Sequence, residues 1–307
     1  MVKSFLRPLM LRTARSLTEK NLPRTRLLFH YDGALRSHKT NLLSLQAFED
    51  LPEPDRGLIR PGSISPDPTH AVIAESTVFH PQGGGQPSDT GTITASQADS
   101  SSSFEVTMVR HSITAPSLVL HFGHFPSSTP PASFSEGAMI EQHINADKRL
   151  LYSRLHTAGH VLGAAVRHVL ENKIDGFDEL KANHFPDAAA CEFKGLISGD
   201  QKAPIQAKLD EYVEKHMPVE VQFWSKDDFR EHGLERLIPD DETWEAIKET
   251  DREEEERLGR IRVVNIVGAE VYPCGGTHVE HTGECGKVTV RKIGRQKGTS
   301  RVGYAVD

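Results

Sequence analysis

The sequence DKRLLYSRLHTAGHVLGAAVRHVLEN, residues 147–172, decides how the chain divides. Apolar residues recur in it at the spacing of one helix face, with basic residues near both ends, so it predicts a long helix. It carries His156 and His160, which lie four residues apart and therefore on the same helix face, one turn from each other. Such a pair can hold one metal ion, although a chain with 16 histidines also produces this spacing by chance.

The regions on either side of this helix differ in character. Residues 24–145 contain short apolar stretches separated by Pro, Gly and Ser, which predicts a small β-barrel or sandwich. Within this region, residues 95–103 and 126–135 are rich in Ser and Pro and predict surface loops. After the helix, further helices are predicted at 203–215 and 240–257, and strands at 260–267 and 286–292. The second half is therefore predicted to be mixed α+β, and the acidic run 251–256 is predicted to be a solvated helix face.

Bulk composition bounds the class of protein. A chain of 307 residues with 37% hydrophobic composition predicts two domains. It contains no apolar run near the roughly 20 residues that a membrane-spanning helix needs. The three cysteines, Cys191, Cys274 and Cys285, cannot all pair and favour a reducing compartment.

The distribution of charge bears on partners and location. Because the net charge is -7, a nucleic-acid partner needs a local basic surface. One stretch without acidic residues supplies such a surface, although its composition is also typical of a charged, solvated strand edge. Its basic residues are Lys287, Arg291, Lys292, Arg295, Lys297 and Arg301. Residues 1–18 have the basic composition of a mitochondrial transit peptide, but Pro8 and the absence of an amphipathic period favour a frayed basic terminus and a cytoplasmic protein.

A second candidate half-site for a metal lies at VYPCGGTHV, residues 271–279. A Pro before Cys274 and two Gly after it disfavour a helix, so Cys274 and His278 are predicted to converge through a tight loop. One cysteine and three histidines, His156, His160, Cys274 and His278, are ligand types that suit zinc. Such a site is either structural and closed or catalytic with one exchangeable position, and the Gly-Gly loop favours the catalytic form.

A Gly-rich loop lies in the first half, at FHPQGGGQPSDTG, residues 79–91. Three consecutive Gly allow close backbone approach to a ligand, and Gln86 offers a donor and an acceptor. An ordinary hairpin loop is the alternative interpretation. The loop lacks the Gly-Lys-Ser/Thr ending of a phosphate-binding P-loop, so a nucleoside triphosphate site is not predicted.

The three motifs occur in the order of the editing module of alanyl-tRNA synthetase, and the chain resembles most closely the AlaX family of free-standing alanyl-tRNA editing proteins. The resemblance includes RLHTAGH at 154–160, HFP at 184–186 and GTSRV at 298–302. It implies an N-terminal β-barrel of the translation-protein type and a two-layer α+β zinc-binding editing domain. The implied division is a basic extension at 1–24, a barrel at 25–145 and an editing domain at 146–307, which leaves no room for an amino-acid-activating domain.

The resemblance also implies a reaction, the hydrolysis of serine, or glycine, wrongly attached to the alanine tRNA. It implies one zinc ion held by His156, His160, Cys274 and His278. The candidate catalytic residues are Gly84, Gly85, Gln86 and Thr157: the glycine amides would support the oxyanion or the amino acid, and Gln86 would orient water or the seryl hydroxyl. The basic stretch from Lys287 to Arg301 is assigned to the phosphates of the tRNA acceptor end.

Several features depart from the family pattern or leave alternatives open. The family commonly has Thr or Ser where Gly159 stands, and His281 competes with His278 as the fourth ligand. No Glu lies between the paired histidines, so the metalloprotease type of general base is missing. The alternatives are editing of another aminoacyl-tRNA, carrying Thr or a D-amino acid, and a zinc-stabilised RNA-binding module without catalysis.

Overall fold

The computed structural model of the chain describes residues 22–95, 103–126, 134–250 and 259–307, with only the backbone for 246–250. Residues 1–21, which carry the predicted basic extension, lie outside this part, as do most of the two Ser- and Pro-rich loops and the acidic run 251–256. The three cysteines are free thiols. No helix of the described residues is both long and apolar enough to cross a bilayer.

The first half contains β1 (Arg26–Leu27), β2 (Ser37–Ala47), α1 (Glu53–Arg56), β3 (His70–Ala74), β4 (Ser76–Thr77), β5 (Gly91–Ala95), β6 (Ser103–His111), β7 (Val119–His124) and β8 (Met139–Ile144). Six of these strands form a closed antiparallel barrel with strand order β2-β3-β7-β6-β5-β8. Apolar side chains such as Val72, Ile93 and Phe104 fill its interior. A short parallel pair, β1 and β4, and the single-turn helix α1 accompany it.

The predicted long helix is α2 (Ala146–Leu170), which begins two residues after β8 ends. Asn145 caps it by accepting the backbone N–H of Lys148 at 3.0 Å. Its apolar stripe, including Leu155, Leu162 and Val166, belongs to the main core cluster of the second half. The helix therefore connects the barrel to that core.

The second half contains β9 (Asp178–Asn183), β10 (Ala190–Lys194), α3 (Lys202–Glu214), β11 (Val219–Trp224), α4 (Lys226–Glu231), α5 (Asp241–Thr250), β12 (Ile261–Ile266), β13 (Glu270–Pro273), β14 (Val288–Gln296) and β15 (Thr299–Val306). Its strands form two antiparallel sheets, of strand order β14-β15-β10-β9 and β11-β12-β13. Helix α3 packs with α2 into the core against the first sheet, and Trp224, Phe229 and Trp244 form a smaller core beside the second.

The barrel and the mixed α+β half are confirmed. So are the helices predicted at 147–172 and 203–215 and the strands predicted at 260–267 and 286–292, each displaced by a few residues at its ends. The domain boundaries at residues 24 and 145 stay predictions.

Candidate metal centre

The loop after β13 brings Cys274 and His278 against helix α2. The N–H of Cys274 bonds to the carbonyl of Arg262 at 3.2 Å, and the N–H of Gly276 bonds back to the Cys274 sulfur at 3.3 Å. A Cβ at position 276 would lie 2.2 Å from Cε1 of His156. Only glycine therefore lets the loop lie this close to the helix.

The four predicted ligands converge. One ligand atom each of His156, His160, Cys274 and His278 lies within 4.8 Å of the other three. The Cys274 sulfur is 3.5 Å from Nε2 of His156 and 3.3 Å from Nε2 of His278. His156 is buried and the other three are half-buried, so the group is sheltered but still accessible.

Gln86 fixes the orientation of the first imidazole. Its Oε1 lies 2.7 Å from Nδ1 of His156, and because an amide oxygen can only accept, Nδ1 carries the proton. The lone pair of His156 is then on Nε2, which faces Cys274. Gln86 also accepts the backbone N–H of Thr277 at 3.0 Å and donates to its hydroxyl at 2.8 Å.

Thr157 contacts the imidazole of His278 at Nδ1, as Gln86 contacts that of His156. Its hydroxyl oxygen is 3.0 Å from Nδ1 of His278 and accepts the N–H of Val279 at 3.2 Å. With Nδ1 of His278 donating to that oxygen, Nε2 of His278 is free to face Cys274. Metal-binding histidines usually have such an acceptor at the other ring nitrogen.

His160 differs from the other two imidazoles. Its buried Nδ1 has no hydrogen-bond partner among the described residues. Its ring lies against the ring of Tyr272, with 4.4 Å between centroids. A buried nitrogen without a hydrogen-bond partner destabilises a folded chain. A cation bound at this cluster would change the electrostatic environment of that nitrogen.

Burial decides the charge state of the cluster. It lowers the pKa of His156, His160 and His278 well below the ordinary histidine value. Neighbouring imidazoles lower it further, and Arg262 does so for His160 and His278. Burial likewise raises the pKa of the Cys274 thiol, against the opposing effect of Arg262. The three imidazoles are therefore neutral and can offer lone pairs to a metal.

The Gly-rich loop makes a tight turn beside the cluster. Gly83 and Gln86 exchange both backbone hydrogen bonds, at 3.2 and 2.9 Å, and the residues between them, Gly84 and Gly85, have φ of 54° and 81°. A Cβ at Gly85 would lie 2.4 Å from the carbonyl oxygen of Ala182. The N–H of Gly83 is used within the turn, whereas those of Gly84 and Gly85 have no protein acceptor in the described part of the chain.

Two cavities open beside the cluster, and Gly84, Cys274 and Gly275 line both. The first, of about 290 Å³, is mainly apolar and is also lined by Phe29 and three histidines, His30, His80 and His111. The second, of about 390 Å³, is more polar and includes His184, Glu179 and Arg167. A ligand bound at the cluster can therefore extend in two directions.

The second cavity contains a charged network. Arg167 contacts Glu171, Asp178, Glu179 and Glu270 at 2.7–3.5 Å. Burial raises the pKa of Glu179 to about 7, despite the opposing effect of Arg167.

The predicted basic residues lie elsewhere. All six are exposed, and in the described structure none lines either cavity beside the cluster. Arg291, Lys292 and Arg301 surround a separate groove of about 370 Å³. Lys297 and Gly298 form the two-residue turn between β14 and β15, both with positive φ.

Two expectations from sequence need correction. His281 is not in the ligand group, because its ring packs against His216 at 5.0 Å and its Nε2 lies 3.5 Å from Glu284. Gln86 does not face an open space for water or a seryl hydroxyl: it is fully buried, with both amide ends bonded to His156 and Thr277.

Sequence reasoning gave no role to Thr277, His184 or Tyr304. Thr277 is the partner of Gln86, and His184 and Tyr304 fill the space beside Gly159. Tyr304 lies 120 residues from His184, so no local pattern connects the two. Thr277 stands inside the Cys-Gly-Gly-Thr-His motif, which was the available signal for it.

Comparison with known proteins finds a family match in the region of the Cys274 loop. Residues 261–302 match the family model described as the second additional domain of threonyl and alanyl tRNA synthetase. The matched segment contains Cys274 and His278 and the basic stretch from Lys287 to Arg301. It contains neither Gln86 nor the histidines of α2.

The similarity to curated proteins extends over more of the chain. An alanine–tRNA ligase of Methanobrevibacter smithii is 26% identical over 293 residues, which are 94% of this chain and 27% of that protein. The alanyl-tRNA editing protein AlaX-L of Pyrococcus horikoshii is 27% identical over 222 residues, 72% of this chain and 47% of that protein. The chain thus spans about a quarter to a half of the length of these relatives. Together these matches confirm that the chain resembles the AlaX-type alanyl-tRNA editing proteins, as its three motifs predict.

Proposed function

We propose that the protein is a trans-editing deacylase that hydrolyses the ester of mischarged alanine tRNA, chiefly seryl-tRNA and also glycyl-tRNA. The observation that carries the proposal is the convergence of His156, His160, Cys274 and His278 with Gln86 of the Gly-rich loop. The names of the relatives support the substrate class, because they include an alanyl-tRNA editing protein and alanine–tRNA ligases.

One zinc ion is the proposed cofactor. Three neutral imidazoles and a cysteine, with Nδ1 of His156 and His278 held by Gln86 and Thr157, fit zinc better than magnesium or calcium, which prefer oxygen ligands. When bound, zinc supplies a Lewis acid and lowers the pKa of a coordinated water. The protein residues orient the ligands.

The Gly-rich loop supplies the remaining polar groups. The N–H groups of Gly84 and Gly85 are the proposed donors to the carbonyl oxygen or to the amino-acid end of the substrate, since neither has a protein acceptor among the described residues. Gln86 and Thr157 act through the imidazoles that they hold. They are therefore positioning residues rather than groups that touch the substrate.

The basic surface is the proposed contact with tRNA phosphates. Arg291, Lys292 and Arg301 around one groove, with Lys287, Arg295 and Lys297 on the same two-stranded segment, make a local positive region on a chain of net charge -7. Phosphate contacts of this kind supply affinity without reading sequence. A cytoplasmic location remains a prediction.

The test is release of the amino acid from seryl- and alanyl-tRNA of the alanine acceptor, with zinc content measured in parallel. Wild-type protein is expected to release serine and spare alanine, and Cys274→Ala is expected to lose both zinc and activity. Cys285→Ala is the matched control, because it removes a buried free thiol outside the ligand group.

Two other outcomes would support an alternative function. Inertness toward these substrates with turnover of threonyl- or D-aminoacyl-tRNA would assign a different editing substrate. A zinc-loaded protein that unfolds on chelation and hydrolyses no ester would be a non-catalytic RNA-binding module.

A further inference from the structure

A fourth imidazole, that of His184, lies at the cluster without belonging to the ligand group. His184 follows strand β9, is 1% exposed, and donates its backbone N–H to the carbonyl of Gly85 at 2.9 Å. Its ring stacks on His156 with 4.2 Å between centroids and 27° between planes. It is therefore held by the Gly-rich loop on one side and by a candidate metal ligand on the other.

Tyr304 determines which nitrogen of His184 carries the proton. The Tyr304 hydroxyl donates to the carbonyl of Leu155 at 2.8 Å, and its oxygen lies 2.6 Å from Nδ1 of His184. Because a hydroxyl has one proton, this oxygen accepts from Nδ1. The proton is thus on Nδ1, and Nε2 has a free lone pair.

The free Nε2 belongs to a ring that lines the cavity of about 390 Å³, together with Gly84, His160 and Cys274. Within the described residues Nε2 has no hydrogen-bond partner, and it is not among the fully enclosed polar atoms without one. It is therefore accessible from this cavity.

Gly159 makes room for the arrangement. A Cβ at this position would lie 2.4 Å from Cε1 of His184 and 2.7 Å from the Tyr304 hydroxyl. Both groups therefore lie directly against the backbone of helix α2, where a larger residue would displace them.

The carboxylate of Glu179 is about one turn further along α2, because it lies beside Gly163 as His184 lies beside Gly159. That carboxylate, which pairs with Arg167 at 3.1 Å, lines the same cavity as His184.

We propose that His184 orients the water that attacks the ester, by accepting a hydrogen bond at Nε2, and that Tyr304 is the positioning residue that presents Nε2. The inference rests on the proposed deacylase function. In the reaction the water oxygen bonds to the carbonyl carbon, the bond to the ribose oxygen breaks, one water proton ends on that oxygen and the other leaves with the carboxylic acid. His184 contributes the acceptor that fixes the direction of attack.

The test compares His184→Ala and Tyr304→Phe with a matched His–Tyr pair, His168 on α2 and Tyr212 on α3. Nδ1 of His168 lies 2.5 Å from the Tyr212 hydroxyl, so His168→Ala and Tyr212→Phe remove the same type of contact away from the cluster. For zinc-loaded proteins acting on seryl-tRNA, we expect kcat to fall about 10- to 100-fold in His184→Ala and about 3- to 10-fold in Tyr304→Phe, with KM unchanged. Added imidazole is expected to restore part of kcat in His184→Ala, and both control variants are expected to keep wild-type kcat.

A second readout does not depend on activity. Nitrogen-15 NMR of the histidine rings is expected to show His184 protonated at Nδ1 in the wild type and in mixed tautomers in Tyr304→Phe. A wild type that hydrolyses seryl-tRNA while His184→Ala keeps full kcat, or a His184 protonated at Nε2, would overturn this inference alone. A zinc-loaded wild type without activity would instead overturn the proposed function.

Discussion

Two buried polar regions connect the barrel to helix α2, and they differ in whether their polar groups find partners within the protein. In the first, Arg149 and Asp89 are both 0% exposed, and each guanidinium nitrogen has an acceptor: Asp89, the carbonyl of Gly33 or the carbonyl of Val78. Asp89 in turn accepts the backbone N–H of His80 at 2.7 Å. The chain satisfies every charge of this region by itself.

The second region, the ligand cluster, lies two helical turns further along α2 and is not complete in this way. Lone pairs of His156, His278 and Cys274 face one another, and Nδ1 of His160 has no partner in the described structure. Such a group could hold a metal ion. The contacts of Asp89 that anchor the Gly-rich loop involve no candidate metal ligand. The loop can therefore be held in place before a metal ion binds.

The largest effect on stability is expected for Arg149→Ala. The change leaves the Asp89 carboxylate buried and unpaired, which is expected to lower the free energy of unfolding by about 3–5 kcal/mol, with or without metal. Denaturant titration measures it, with Lys148→Ala, an exposed neighbour, as the control. Asp89→Asn combined with Arg149→Met should recover part of the loss. A single variant as stable as the wild type would show that the ion pair is not the anchor.

A smaller effect on stability, but a specific one on metal affinity, is expected for Gln86→Ala. The change removes the acceptor of His156 and leaves the N–H of Thr277 unpaired, so we expect about 10- to 100-fold weaker zinc binding and a loss of about 1–3 kcal/mol in stability. Competition with a chromophoric chelator measures the affinity. Gln82→Ala, in the same loop, is the control, and equal affinity in both variants would mean that Gln86 does not orient the ligand.

The smallest effect on stability is expected for the exposed cations. Neutralising Lys292, Arg295 and Lys297 to Gln should change the free energy of unfolding by about 0.5 kcal/mol at most, because all three are exposed. It should weaken tRNA binding and reduce its salt dependence by about one unit of slope for each phosphate that the protein no longer neutralises. Gln at Lys148, Lys173 and Lys202, three other exposed lysines, is the control. An unchanged salt slope would show that the basic stretch does not bind the tRNA.

Local sequence patterns predicted much of this structure. The spacing of His156 and His160 and the stiff loop around Cys274 gave the ligand set, because each half-site is formed within five residues. The turn at the Gly-rich loop was predictable for the same reason. His281 was wrongly considered as a ligand, since spacing alone does not show that its ring packs against His216.

What the sequence did not show depends on distant contacts. Gln86 meets His156 across 70 residues and Thr277 across 191, and the bond between Tyr304 and His184 spans 120. The sequence shows that Gly159 departs from the family pattern, but it does not show the structural reason. It became clear only when His184 and Tyr304 were seen in the space that a side chain would fill.

The bond between Gln86 and Thr277 also has a consequence for the order in which the protein is made. Because 191 residues separate the two, a ribosome adding about 5–20 residues per second needs roughly 10–40 s to reach Thr277 after Gln86. During that interval the amide nitrogen of Gln86, which bonds to Thr277, has water as its partner. The candidate metal centre can therefore be completed only after Cys274 and His278 have been made, when most of the chain already exists.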